Sequence, residues 1–186
     1  MLKLCYTTIM KKRIIIVFII SILILSLPIE IGAKALKGEV KYTVKQAREE
    51  AFSNVEYTLP QSIIKANLTD PNYKENKKAI KLGTTELKDR YIEHYSDGEY
   101  ALAYKNNMYV VYYYKENGEL DTIEKRESLR TPMKTFRYNT KGYLEEISLF
   151  LTPDNTYIFN INGELKYHWI GDKGYDKNGK VISVRY

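Results

Sequence analysis

Few residues in this sequence have the types and spacing that chemistry requires. Beyond the first 35 residues there are two histidines, His94 and His168, and no cysteine, because the single Cys5 falls near the start of the chain. His94 follows Glu93, and His168 lies four residues before Asp172. A histidine with a carboxylate as general base would make a small cell-envelope hydrolase, and His94 or His168 with Glu93 or Asp172 are the candidates for it. Both histidines sit in alternating, aromatic-rich stretches, where a half-buried packing role is the ordinary one. Neither a His-x-x-x-His nor a His-Glu-x-x-His spacing occurs, and without a thiolate no metal site is expected. Asp172, Asp176 and Asn178 before Gly179 resemble a calcium loop only in part, since the twelfth position would be Arg185 rather than glutamate. Glu145 and Glu146 are adjacent on an expected strand and so point to opposite faces, which keeps them out of one site. With no phosphate loop, dinucleotide fingerprint or nucleophile elbow, no cofactor and no catalytic residue is expected.

The tyrosines remain. Eighteen occur, and Tyr109, Tyr112, Tyr113 and Tyr114 crowd one stretch. Aromatic residues favour strands and stabilise cross-strand pairs, by roughly 0.2–1 kcal/mol each. A strand with rings on both faces nonetheless places some of them away from a single core, and an exposed ring with a polar tip suits a sugar or a protein partner. Tyr109, Tyr113, Tyr167 and Trp169 are the expected binding residues.

The elements that must position them follow from one recurring figure. An aromatic residue four places before a glycine, with Leu or Val two places after it, appears as Tyr114/Gly118/Leu120, Tyr138/Gly142/Leu144, Phe159/Gly163/Leu165 and Tyr175/Gly179/Val181, with a looser copy at Tyr95–Gly98. Each reads as a hairpin whose glycine supplies a positive φ. From Leu87 onward the pattern has period two, and the short connections imply an antiparallel meander of about eight or nine twisted strands. Residues 36–86 differ. Thr43 caps a helix expected to run through Val55, Leu59–Leu68 is a second candidate with Pro60 in its first turn, and Asp70-Pro71 opens a third through Leu82, stopped by Gly83. The expected fold is α+β: short N-terminal helices (36–86) capping a C-terminal antiparallel β-meander built from hairpin repeats (87–186), packed together as one domain.

Residues 1–35 read as a leader. A basic cluster, Lys11 to Arg13, precedes an apolar run from Ile14 to Leu27, then a proline and small residues, which is the plan of a signal peptide with Ala33 and Ala35 flanking the cleavage point. The run is short against the roughly 20 residues of a membrane span, so an uncleaved N-terminal anchor is the second choice, and the membrane would be met only there. Either way the body is expected outside the cytoplasm: periplasmic, cell-surface or secreted. The formal charge of +6 is mostly a property of this leader; beyond it 24 basic residues face 22 acidic ones, which removes the support for a nucleic-acid partner.

Tyr112–Leu120 (YYYKENGEL) and Phe159–Leu165 (FNINGEL) resemble the variant MORN repeats of exported and antitoxin-like bacterial proteins, while Tyr138–Leu144 and Tyr175–Val181 are similar to the tyrosine-aspartate repeats of Rhs-type proteins. The resemblance covers residues 91–186. It lacks the second glycine-tryptophan element of most MORN units and most of the Rhs arginines after the glycine. It implies an open or curled antiparallel sheet used as a scaffold or binding surface, brings no catalytic residue, and raises an antitoxin or immunity role as a third reading. The first reading is a noncatalytic exported module binding cell-envelope glycan or a protein partner through an aromatic sheet face.

Overall fold

A computed structural model describes residues 42–79 and 83–184. The leader, with Ala33 and Ala35, lies outside these residues. Three short helices come first: α1 Val44–Ala51, α2 Gln61–Lys65 and α3 Tyr73–Lys78. Eleven strands follow as β1 Gly83–Glu86, β2 Arg90–His94, β3 Tyr100–Tyr104, β4 Asn107–Tyr114, β5 Leu120–Arg126, β6 Met133–Asn139, β7 Leu144–Thr152, β8 Asn155–Asn160, β9 Leu165–Ile170, β10 Lys173–Tyr175 and β11 Val181–Val184. They form one antiparallel sheet in strict chain order. The meander is longer than the eight or nine strands expected, because β1 forms from a Gly-Thr-Thr-Glu stretch without apolar alternation, and the three-residue β10 is held by partners on both sides. Among the described residues no helix is long and apolar enough to cross a membrane.

The first helix starts where the sequence indicates, the other two start two to three residues later, and all three stop sooner. Thr43 makes a capping box, its Oγ1 accepting from the Gln46 N–H at 3.2 Å while Gln46 Oε1 accepts from the Thr43 N–H at 3.0 Å. α1 then ends at Ala51 rather than Val55, since Asn54 turns to a positive φ of 55°. α2 spans only Gln61–Lys65 of the Leu59–Leu68 candidate, and α3 closes at Lys78, short of Leu82.

One turn geometry recurs five times. The N–H groups of Gly98, Gly118, Gly142, Gly163 and Gly179 donate to the carbonyls of Tyr95, Lys115, Asn139, Asn160 and Asp176, three residues back, at 2.8–3.1 Å. Every one of these glycines has a φ between 76° and 87°. In the four later turns the strand register slips beside the glycine, as expected of a three-residue hairpin loop closed by a bulge.

Three of these turns also seat the N-terminal segment, in reverse chain order. A side chain on Gly163 would meet Arg48 of α1, one on Gly142 would meet Ile64 of α2, and one on Gly118 would meet the Tyr73 ring of α3. Backbone bonds fix the last two: Leu59 N–H donates to the Gly142 carbonyl and Asp70 N–H to the Gly118 carbonyl, both at 2.9 Å. Gly142 therefore meets two demands, a positive φ and close approach of Ile64, while Gly179 meets only the first, with open space around it. We expect Gly142→Ala to destabilise the protein by about 2–4 kcal/mol, from left-handed strain plus overpacking, and Gly179→Ala by about 1–2 kcal/mol from strain alone. Equilibrium urea unfolding of the two variants measures the difference; equal losses would remove the docking role of the turn.

The sheet has two different faces. The first carries Leu102, Tyr114, Ile123, Tyr138, Ile147 and Phe159, all 0–2% exposed, in one cluster with Ala47, Ala51, Leu59 and Ile64 of the helical segment. A buried polar pin holds α3 to the same face. Asp70 accepts from Tyr100 Oη at 2.6 Å, Asn76 Nδ2 at 2.7 Å and the Asn72 N–H at 2.8 Å, and Arg90 Nε donates to Asn76 Oδ1 at 2.9 Å.

A charged and aromatic face inside the curl of the sheet

On the second face β2 and β5 lie three strand spacings apart, roughly 14 Å along a flat sheet. Arg126 of β5 nonetheless acts electrostatically on Glu93 of β2. Ala101 and Ala103 of β3 share a buried cluster with Met133 of β6 and Phe150 of β7. The sheet therefore curls with this face inward, and the two small alanines leave room for that curvature.

The register brings charges together there. Glu124, Arg137 and Glu146 are direct cross-strand partners on β5, β6 and β7, a row of alternating sign. Arg126 Nε donates to Glu124 Oε1 at 3.1 Å, Arg137 stands 3.8 Å from Glu124 and 3.5 Å from Glu146, and Lys166 Nζ meets Glu146 Oε2 at 2.6 Å. The Tyr113 hydroxyl reaches Glu124 Oε2 at 3.5 Å, and the Arg137 guanidinium lies 5.4 Å from the centre of the Tyr113 ring. Three carboxylates thus alternate with three cations from Glu93 to Lys166, and Glu93, Glu124 and Arg126 are at most 2% exposed.

Glu93 is the exception in this series. Burial pushes its carboxyl up to about 8, with the Arg126 guanidinium offsetting part of the shift. Its Oε2 has no hydrogen-bond partner, and neither do Arg126 Nη2, Arg137 Nε or the Tyr95 hydroxyl.

All four expected binding residues stand on this face. In the strand register Tyr109 and Tyr113 share it with Val111, and Tyr167 and Trp169 share it with Ile158 and Thr156. Their exposure divides them. Tyr109 is 48% exposed and Tyr167 half-buried, whereas Tyr113 is buried and Trp169 fully so, its ring packed flat against the bare backbone of Gly174. Tyr113 and Trp169 belong to the packing; Tyr109 and Tyr167 are the rings a ligand could meet.

The histidines do not join this set. Glu93 and His94 point to opposite faces, so the sheet itself separates the two members of that candidate dyad. His94 is buried on the first face with its ring centre 5.5 Å from that of Tyr100, and desolvation lowers its pKa. His168, also on the first face, stacks on Tyr157 at 3.8 Å between ring centres, and its Nε2 is 3.0 Å from Asn155 Oδ1, while Asp172 lies in an exposed turn. Among the described residues no group of three or more His, Cys, Asp or Glu is placed to hold a metal ion. Asp176 serves its turn, accepting from the Asn178 and Lys180 N–H groups at 2.8 and 2.9 Å, and these bonds hold its carboxyl below the usual range.

Of the charged row, the sequence singles out only Glu93, beside His94, and Glu146, beside Glu145. Its signal was present as charges at inward positions of strands, such as Glu124-x-Arg126, but it becomes legible only when the register sets Arg137 between Glu124 and Glu146.

No family model matches the chain, and no curated protein matches it. Among solved structures it is similar to a mutant of TarM from S. aureus, crystallised with fondaparinux, α-GlcNAc-glycerol and UDP, at 15% identity and a TM-score of 0.25. That match covers 77% of this chain and 28% of TarM, so the chain spans under a third of that protein's length.

Proposed function

We propose that the protein is a noncatalytic exported module that binds cell-envelope glycan through the second face of its curled sheet. The observation that carries this reading is the division of labour between the faces: the helices pack on the first, while the second bears Tyr109 and Tyr167 at its surface beside a row of arginine, lysine and glutamate. Sugars are bound by such a combination, an aromatic ring for the apolar face of the pyranose and charged groups for its hydroxyls. The alternation of sign also argues against a purely electrostatic role, since the row has no large net charge to steer a polyanion. Separation of Glu93 from His94 by the thickness of the sheet weighs against the hydrolase.

Cosedimentation of the purified protein with insoluble cell-wall material is the test. Saturable retention that competes with soluble wall fragments is the expected result. Retention of none of the folded protein would remove the glycan and direct the search to a protein partner on the same face.

A further inference from the structure

We propose that the cleft between the β8–β9 and β10–β11 turns binds an extended segment of a partner protein, with an apolar residue, a threonine and an acidic residue in succession. The segment is held by the backbone pairing that the helical segment already makes in the two neighbouring gaps. This site lies at the turn end of the hairpins and stands apart from glycan binding on the second face.

The five glycine turns join alternate strand pairs, so in a meander they project from one end of the sheet, with a gap between each turn and the next. Two gaps are filled in one manner. Beside Gly118, Leu120 N–H donates to the Leu68 carbonyl and Asp70 N–H to the Gly118 carbonyl, both at 2.9 Å, with Thr69 opposite Glu119. Beside Gly142, Leu144 N–H donates to the Tyr57 carbonyl at 3.0 Å and Leu59 N–H to the Gly142 carbonyl at 2.9 Å, with Thr58 opposite Tyr143. Each filling segment is a triplet, Leu68-Thr69-Asp70 or Tyr57-Thr58-Leu59, with threonine in the middle.

The Gly163 turn has the same build, and its gap is open. Pairing of β9 with β10 runs only from Ile170 to His168, so Leu165 has no strand beside it on that side. Among the described residues no backbone bond joins Leu165 N–H or the Gly163 carbonyl to the helical segment. A cleft of about 710 Å³ lies there, bounded by Val44 at the start of α1, by Gly163 and Leu165, and by Asp176 of the next turn. The helical segment carries a third triplet, Tyr42-Thr43-Val44, but it is engaged elsewhere: the Tyr42 carbonyl accepts from Tyr157 Oη at 2.8 Å and Thr43 caps α1. The occupant is therefore assigned to another protein.

Charge selects the third residue of that occupant. Lys45, Arg48 and Lys177 line the cleft, and the ion pair of Lys45 is a 4.0 Å contact with Glu49. The two carboxylates there serve their own turns, Glu164 accepting from Asn160 Nδ2 at 2.7 Å and Asp176 from the Asn178 and Lys180 N–H groups. The cations are left to face an acidic side chain, which makes Leu68-Thr69-Asp70 the better pattern of the two. In strand addition of this kind the main chain supplies affinity and the side chains supply specificity.

The probe is the capped hexapeptide Ala-Asn-Leu-Thr-Asp-Pro, the sequence of residues 66–71, added to the purified, isotope-labelled protein while amide hydrogen exchange is followed by nuclear magnetic resonance. Without peptide, and corrected for intrinsic rates, Leu165 should exchange at least about tenfold faster than Leu120 and Leu144, whose N–H groups are bonded. Saturating peptide should slow Leu165 by about tenfold or more. That effect should vanish when the aspartate of the peptide is N-methylated, and binding should weaken about tenfold in Lys45→Glu/Lys177→Glu, where both positions are exposed. Exchange at Leu165 already as slow as at Leu120 in the free protein overturns the proposal, since residues upstream of Tyr42 or a second copy would then fill the cleft. No slowing at several millimolar peptide overturns it too, as does a change at Leu120 in place of Leu165, which would show the peptide replacing Leu68-Thr69-Asp70 in its own gap.

Discussion

Replacing Trp169 with alanine is expected to lower the unfolding free energy by about 3–5 kcal/mol. The ring is fully buried, lies between Thr156 and Gly174 on the neighbouring strands, and packs with Ile158 and, at 6.5 Å between ring centres, with Tyr167. Gly174 is bare because a Cβ there would sit 3.1 Å from the indole. The strands β10 and β11 beside this ring have only three and four residues, so little else offsets its loss. Chemical denaturation followed by far-ultraviolet circular dichroism measures the change. A loss below about 1 kcal/mol would mean that the indole is not packed as described, and would return Trp169 to the list of surface binding residues.

Glu93 gives the second large effect, and its sign depends on pH. In the unfolded chain its carboxyl releases its proton near 4.5, whereas the folded protein holds it to about 8. Between these values the folded state binds more protons than the unfolded state, so stability falls as pH rises. The loss is complete above pH 8 and amounts to about 2–4 kcal/mol, less than the full shift would give because Arg126 and local relaxation compensate ionised Glu93 in part. Glu93→Gln removes the titrating proton with little change of shape. Its stability should be close to that of the unaltered protein at pH 4.5 and higher by most of that 2–4 kcal/mol at pH 8.5. Parallel stability curves for the two proteins from pH 4.5 to 8.5 would show that Glu93 titrates normally, and would remove the buried environment argued for it.

Much of the fold was legible because it is local. The glycine figure fixes each hairpin through its own φ and hydrogen bonds, and the capping box of Thr43 is written within four residues. What the sequence did not disclose depends on contacts distant in the chain. α1 stops at Ala51 and α2 at Lys65 because the segment must step from one hairpin turn to the next, a spacing set by Gly163, Gly142 and Gly118 rather than by helix propensity. The candidate site was legible only in part for the same reason. Alternation correctly put Tyr109, Tyr113, Tyr167 and Trp169 on a common footing as strand aromatics, but which face is inside follows from the curl, and the curl follows from Ala101 and Ala103 opposite Met133 and Phe150. The row of Glu124, Arg137 and Glu146 spans 22 positions of sequence and one line of the sheet.

The most direct test of the proposal is cell-wall cosedimentation of the Tyr109→Ala/Tyr167→Ala double variant beside the unaltered protein. Tyr109 is exposed and Tyr167 half-buried, so the variant should stay folded, as circular dichroism can verify, while retention falls by about tenfold or more through loss of both ring contacts. Full retention by the folded variant would contradict the account and show that the second face of the sheet is not where the wall is bound.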